Sequence, residues 1–249
     1  MAFWALGLFA NFGISNTFDL SQAFCESSAT HLLGCDAYGN DLGWRTAFGV
    51  FHSLKISTMT VTCTSLLGLI IGTGITFAPK PLASICLRLI DCFLAFPGLL
   101  LAILIAALMP PSPYTVVFSL VIMGWASHAR LVRVLLLQTL KQPYVEAARA
   151  TGASPLRILI REVYPALWGQ LLVQATLGLS SVILAEASLS FLGLGGPIGQ
   201  PSLGALIAEG REYLVESPHV AIVPGCALLL LVLMFQILSR PLSKRTTHS

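Results

Sequence analysis

The chain has 249 residues, of which 55% are apolar and only 10% charged, with a mean hydropathy of +0.83. A soluble domain carries about a quarter charged residues, so an ordinary cytoplasmic enzyme is excluded. The net charge of +3, from 14 basic and 11 acidic side chains, is too small for a nucleic-acid footprint.

The charges are unevenly spread. Asp, Glu, Lys and Arg are missing from 1–18, 56–79, 92–129, 163–185, 187–208 and 217–239. A membrane-spanning helix needs about 20 apolar residues, because roughly 30 Å of hydrocarbon is crossed at about 1.5 Å per residue. The stretch 92–129 is interrupted by MPPSP at 109–113, and closely spaced prolines end a helix. The predicted spans, in chain order, are 1–18, 54–78, 89–109, 114–137, 166–190 and 217–239. The expected fold is all-α and integral to the membrane, a single transmembrane domain over 1–249 with about six helices. The first span is short and contains Asn11 and Asn16. A secretory signal would show a basic start and a small-residue cleavage site. Neither pattern is present, so 1–18 is expected to be a transmembrane helix with a short beginning.

Basic residues set the orientation, because cytoplasmic loops carry the excess of Lys and Arg. Lys80, Arg88, Arg130, Arg133, Lys141, Arg149, Arg157, Arg161, Arg240, Lys244 and Arg245 fall on one side, and Arg45, Lys55 and Arg211 on the other. The richer side is cytoplasmic and both termini face it, as an even number of spans requires. Asp19, Glu26, Asp36, Asp41, Glu209, Glu212 and Glu216 are then external.

The external loop, 19–53, contains Cys25 and Cys35. An oxidising compartment permits a disulfide there, but the spacing leaves both the paired and the free state open. Cys63, Cys86, Cys92 and Cys226 lie in or beside spans and read as small apolar packers. No second Cys or His pair stands at zinc-ligand spacing, so no metal site is expected. In the second span, Gly68 and Gly72, followed by Gly74, allow close helix approach within lipid, most simply within one subunit. In the third span, Pro97 of LAFPG predicts a kink.

In the fifth span Gln170, Gln174, Gly178 and Ser181 share about 80° of arc at about 100° per residue. A polar stripe facing lipid is costly, so it faces another helix or a wet path. Glu186 lies about 80° off that stripe by the same count. An ionisable group within a span is a functional candidate by default. Its place near the outer end, beside Ser188 and Ser190, fits a satisfied structural carboxylate equally well.

The longest cytoplasmic segment, 138–166, reads TLKQPYVEAARATGASPLRILIREVYPAL. Pro143 suits a first helical turn. Glu146 near that start and Arg149 near the end match the helix dipole. Ala147, Ala148 and Ala150 favour helix and leave a low-relief surface. Gly152 can take the left-handed stop conformation, and Ser154 with Pro155 caps and begins a second helix. The spacing predicts a docking helix of roughly nine residues, about 13 Å long. Catalytic patterns are missing: the sequence holds no HExxH, no GxSxG and no GxxxxGK[ST] phosphate loop. The chain therefore binds no ATP through a Walker loop of its own and is expected to be non-catalytic.

EAARATG at 146–152, followed by Pro165, resembles the EAA loop of bacterial ABC importer permeases, with Tyr164 where that family usually has Leu. RLIDCFLAFPGLLLAI at 88–103, GWASHARLVR at 124–133 and ILAEASLSFLGLG at 183–195 resemble the dipeptide/oligopeptide/nickel branch. So does HLLGCDAYGND at 31–41, against a pattern close to HPLGTDxxGRD, with Leu32, Cys35 and Asn40 as departures. The resemblance covers about 31 to 240.

It implies a type I-like importer permease in the bacterial inner membrane, with 143–151 as the coupling helix seated in a groove of an ATPase subunit. Glu146 and Arg149 would make polar contacts there, Ala147 and Ala148 would allow close approach, and Gly152 would set the exit angle. The implied partners are a homologous second permease, two ATP-binding cassette subunits that hold ATP and magnesium, an external solute-binding protein and membrane lipid. No cofactor is expected on this chain. Gln170, Gln174, Ser181, Glu186 and Pro97 are the candidates for the translocation path. Di- or oligopeptides are the expected substrates; the same branch includes permeases for nickel and other metal chelates. A proton-coupled carrier using Glu186 is the alternative of a different class, and would require inverted repeats with paired broken helices, which the sequence does not show.

Overall fold

The computed structural model describes residues 20–28, 31–196 and 201–246; the expected first span, 1–18, lies outside them. Among the described residues the chain is helical, its only β pairing being the isolated bridge between Cys35 and Asp41. Four helices are long and apolar enough to cross a membrane: Leu42–Phe77, Pro113–Thr139, Pro155–Phe191 and His219–Arg240. A fifth crossing arises if Lys80–Ala95 and Gly98–Leu108 form one bent span.

Helix α1, Leu42–Phe77, begins well before the expected position of 54. Asp41 caps it by accepting from the Trp44 N–H, and Arg45 is neutralised by Asp36 and Glu209. At 36 residues and about 1.5 Å per residue it is about 54 Å long, so it projects beyond the hydrocarbon. Its inward seam is small: Gly49, Ser53, Ser57, Thr60, Thr64, Gly68 and Gly72 are all buried. A Cβ at Gly68 would stand 2.5 Å from the His128 Cβ, and one at Gly72 would stand 2.6 Å from the Ala129 carbonyl oxygen. The glycines therefore bring α1 against α4 within this subunit, whereas Gly74 faces open space.

The expected third span, 89–109, begins earlier and is broken, not kinked. Helices α2, Lys80–Ala95, and α3, Gly98–Leu108, meet at 86°. Proline disfavours helical geometry in the residue before it and supplies no N–H. Phe96 (ψ 141°) and Pro97 (ψ 111°) are both extended, so the helix ends and restarts where a kink was expected. Ion pairing of Asp91 with Arg130 and an edge-on contact of Phe93 with Trp125, centroids 5.1 Å apart, hold α2 to α4.

Helix α4, Pro113–Thr139, starts from Ser112, whose hydroxyl accepts from the Thr115 N–H. After α5, Pro143–Ala150, helix α6 runs from Pro155 to Phe191. It passes through Pro165 by widening into a π turn at Leu159–Val163, where the Tyr164 N–H reaches the Leu159 carbonyl. A proline clashes with the carbonyl four residues earlier, and the wider turn relieves that crowding. Helix α7, Leu203–Gly210, is short and packs against α6 and α8, and α8, His219–Thr246, closes the bundle. The largest apolar core joins Ile56 and Val61 of α1, Ala102 and Ala106 of α3, Val116 and Leu120 of α4, and Val182 and Leu189 of α6.

Candidate coupling surface and external cap

Helix α5 has eight residues, close to the expected 143–151. Pro143 opens it, Glu146 lies in its first turn and Arg149 in its last. Its end is a Schellman closure: the Ala153 N–H bonds the Ala148 carbonyl at 3.2 Å and the Gly152 N–H bonds the Arg149 carbonyl at 3.0 Å. Gly152 takes φ +80°, the left-handed conformation that this motif requires and that a Cβ disfavours. Ser154 then accepts from the Arg157 N–H and starts α6.

The helix is seated through one fully buried residue. Val145 packs with Val132, Leu135 and Leu136 of α4 and with Ile158, Val163 and Leu167 of α6. Ala148 and Ala153 join the same cluster from the side. Tyr144, Glu146, Ala147, Arg149 and Ala150 are exposed. The outward face is thus Tyr144, Glu146, Ala147 and Arg149, while Ala148 is half-turned to the bundle. Val145 was missed in reading the EAA segment for its polar and small residues; its spacing of three from Ala148 was the available signal, since residues three apart share a helix face. Pro165 is exposed on α6, two residues past the π turn. Beside it the Tyr164 hydroxyl lies 3.2 Å from Thr73 Oγ1 of α1.

The fifth-span residues separate. Gln170 and Ser181 are exposed, and Gln174 is half-buried. Gln174 lines a shallow apolar groove of about 130 Å³ between α1, α4 and α6, with Leu69, His128, Leu131 and Trp168 among its walls. Ser181 turns its hydroxyl to the Leu177 carbonyl. Glu186 is fully buried away from them and accepts from Ser53 and Ser190. Pro97 forms the corner between α2 and α3.

At the Leu42 end of α1, Cys25 and Cys35 are joined in a disulfide, with Cα atoms 4.9 Å apart. Asp36, 1% exposed, accepts from the N–H groups of Tyr38 and Asn40, from the Asn40 amide and from Arg45. Arg45 also reaches Glu209 at 2.9 Å, so one guanidinium ties the loop to the end of α7. His31 pairs with Asp41 at 2.8 Å, and the His219 ring approaches the Cys35 carbonyl at 3.3 Å. Phe24 meets Tyr213 with ring centroids 4.8 Å apart. The loop carrying HLLGCDAYGND is thereby fastened to α1, α7 and the start of α8.

A bundle of long apolar helices with a capped helix seated on one end and a braced loop on the other suits a membrane component that meets partners on both sides. The family described as the binding-protein-dependent transport system inner membrane component matches residues 64–248. The chain belongs to this family. A di/tripeptide transport system permease protein, DppC, of Pseudomonas aeruginosa is 36% identical over 84% of this chain and 69% of its own length. A glutathione transport system permease protein, GsiD, of Pectobacterium atrosepticum is 35% identical over 96% of this chain and 79% of its own. An inward-facing structure of the MetNI methionine ABC transporter matches with a TM-score of 0.67, over 82% of this chain and 96% of that one, at 19% identity; that likeness is one of fold. As an inner membrane component of a binding-protein-dependent system, this permease is multi-pass and non-catalytic.

Proposed function

We propose that this permease is one of two homologous membrane subunits of an ATP-driven importer for di- and oligopeptides, coupled through α5 to separate ATPase subunits and supplied by an external binding protein. The observation that carries the coupling reading is the seating of α5. Buried Val145 and the Schellman closure at Gly152 fix the helix to α4 and α6, leaving a small, polar-flanked face open. A helix held this way moves with the bundle, so ATP-driven closure of two ATPase subunits can bias inward-open against outward-open states. ATP and magnesium belong to those subunits. Peptide is favoured as the substrate over nickel or another metal chelate because the relatives above are named for di/tripeptide and glutathione transport.

The test is co-purification of the ATPase subunits with tagged permease and its partner permease, followed by peptide uptake in reconstituted vesicles. Wild type is expected to retain ATPase and to take up dipeptide in competition with tripeptide. Glu146→Lys should lose ATPase by reversing charge on the exposed face. Gly152→Pro should lose it by removing the N–H that bonds the Arg149 carbonyl and forbidding φ +80°. An intact wild-type complex that holds no ATPase refutes the coupling reading, and uptake competed by nickel chelates but not by peptides refutes the substrate.

A further inference from the structure

Helix α6 is continuous from Pro155 to Phe191. Its inner end presents Ile158, Val163 and Leu167 to Val145 of α5, and its outer end carries Glu186 and Ser190. Glu186 is 0% exposed, and both of its oxygens are engaged: Ser53 Oγ donates to Oε2 at 2.6 Å and Ser190 Oγ donates to Oε1 at 2.8 Å. Ser190 lies one turn on in the same helix, whereas Ser53 comes from α1 and is itself fully buried. The carboxylate is therefore held from two directions, one of them across a helix interface.

Helix α7 closes on the same point. A Cβ at Gly204 would stand 2.0 Å from the carbonyl oxygen of Ala187, the neighbour of Glu186. On the other side, one turn along α1 from Ser53, a Cβ at Gly49 would stand 3.1 Å from the Leu203 backbone nitrogen. A Cβ at Gly195 would meet Ser190 Oγ at 2.0 Å. Three elements thus converge at Glu186 with no room for a larger side chain at the contacts. A buried ionisable group within spans is costly and marks function by default, yet Glu186 lies off the face bearing Gln170, Gln174 and Ser181. The far end of α7 is fastened to the external loop through Glu209 and Arg45.

We propose that Glu186 is a positioning residue that locks α1 and the external helix α7 onto the outer end of α6, so that docking of the external binding protein is felt along α6 at the coupling helix. The inference rests on the coupling role of α5 proposed above. Docking on the loop or on α7 loads Arg45 and Glu209, the Glu186 contact passes that load to α6, and α6 carries it inward to Val145. Coupling of this kind is a free energy shared between two sites and is reciprocal for binding. ATPase engagement inside and binding-protein affinity outside should therefore change together.

The experiment uses the assembled complex in lipid nanodiscs, with the ATPase rate measured with and without its binding protein loaded with dialanine. Wild type is expected to be stimulated. Ser53→Ala removes only the interhelical hydroxyl, and Glu186→Ala removes the acceptor. In both, ATPase retention and basal rate should match wild type while the stimulated rate falls to near the basal rate. Glu186→Gln keeps an accepting oxygen and gains an amide that can donate to a serine oxygen, and should retain most of the stimulation. Unchanged stimulation in Ser53→Ala and Glu186→Ala overturns the inference, as does a parallel loss of basal and stimulated rates in Ser53→Ala, which would mark a purely structural contact. Loss in Glu186→Gln as large as in Glu186→Ala also overturns it. If Glu186→Ala fails to assemble, Ser53→Ala decides. Absence of ATPase from the wild-type complex is a different failure: it refutes the coupling reading, and this inference falls with it.

Discussion

Arg45 illustrates how one side chain can tie a loop to a distant helix. Its side chain is 18% exposed between Asp36, whose side chain is 2% exposed, and Glu209, at 42%. The two contacts are unequal in worth. Breaking a buried pair leaves an uncompensated charge at a cost of about 3–5 kcal/mol, reduced here because Asp36 keeps the N–H bonds of Tyr38 and Asn40. A pair with an exposed carboxylate contributes about 0–1 kcal/mol. Arg45→Ala should therefore lower the thermal midpoint of the detergent-solubilised permease by several degrees, and Glu209→Gln should leave it nearly unchanged. Equal shifts in the two variants would show that Asp36 is sustained by its backbone donors alone. The sequence placed Arg45 in the external loop and left the pairing of Cys25 with Cys35 open. Both outcomes depend on partners that spacing does not reveal, since Glu209 lies 164 residues away.

At the scale of elements, the helices that were legible were those whose ends carry chemical signals. The start and stop of α5 follow from Pro143, Gly152 and Ser154, and the break before α4 from the prolines of MPPSP at 109–113. Three features were not legible. The turn at Phe96–Pro97 is an 86° corner, and a lone proline in a sequence cannot distinguish a kink from a break. The α1 start at Leu42 was hidden because Arg45 and Lys55 look like loop charges until their surroundings are known. The π turn that carries α6 through Pro165 was hidden because a proline in a sequence reads as a helix stop, and the Tyr164 N–H bond to the Leu159 carbonyl that spans it shows only in three dimensions. The close approach expected of Gly68 and Gly72 occurs within the subunit, whereas Gly74, grouped with them in the sequence, faces open space, so the seam separates tight from open positions. A Cβ at Gly68 meets the His128 Cβ at 2.5 Å, with backbone of His128 and Ala129 at 3.0 and 3.1 Å, whereas Gly74 has nothing within 4 Å. Gly68→Ala must push α1 and α4 apart, and overpacking costs about 1–3 kcal/mol. Gly74→Ala adds only helix propensity, about 1 kcal/mol in the stabilising direction. Thermal midpoints of the two variants should move in opposite senses, and a shared sign would contradict the seam.

At the scale of the whole molecule, the helices and the charge distribution make one topology self-consistent. Helix α6 is the element that carries it: with 37 residues it is about 55 Å long, enough to cross the hydrocarbon and project at both ends. One of its ends joins α5 and the basic residues Arg149, Arg157 and Arg161, and the other leads to α7 and the acidic residues Glu209, Glu212 and Glu216, which the basic-residue rule assigns to the cytoplasm and the exterior respectively. A membrane-impermeant thiol reagent can read this directly, in a background where free Cys63, Cys86, Cys92 and Cys226 are replaced and the Cys25–Cys35 bond is kept. Thr151→Cys, on the exposed end of α5, should react only in inverted membrane vesicles. Val215→Cys, at a position 98% exposed, should react only in right-side-out ones. The two probes lie on either side of α6 alone, so labelling from the same side would mean that α6 does not cross. The excess of Lys and Arg on the α5 side would then reflect ATPase contact and not membrane orientation. Labelling from opposite sides but with the sense reversed would leave α6 as a span and overturn the assignment of α5 to the cytoplasm, because a coupling helix has to face the compartment that holds ATP.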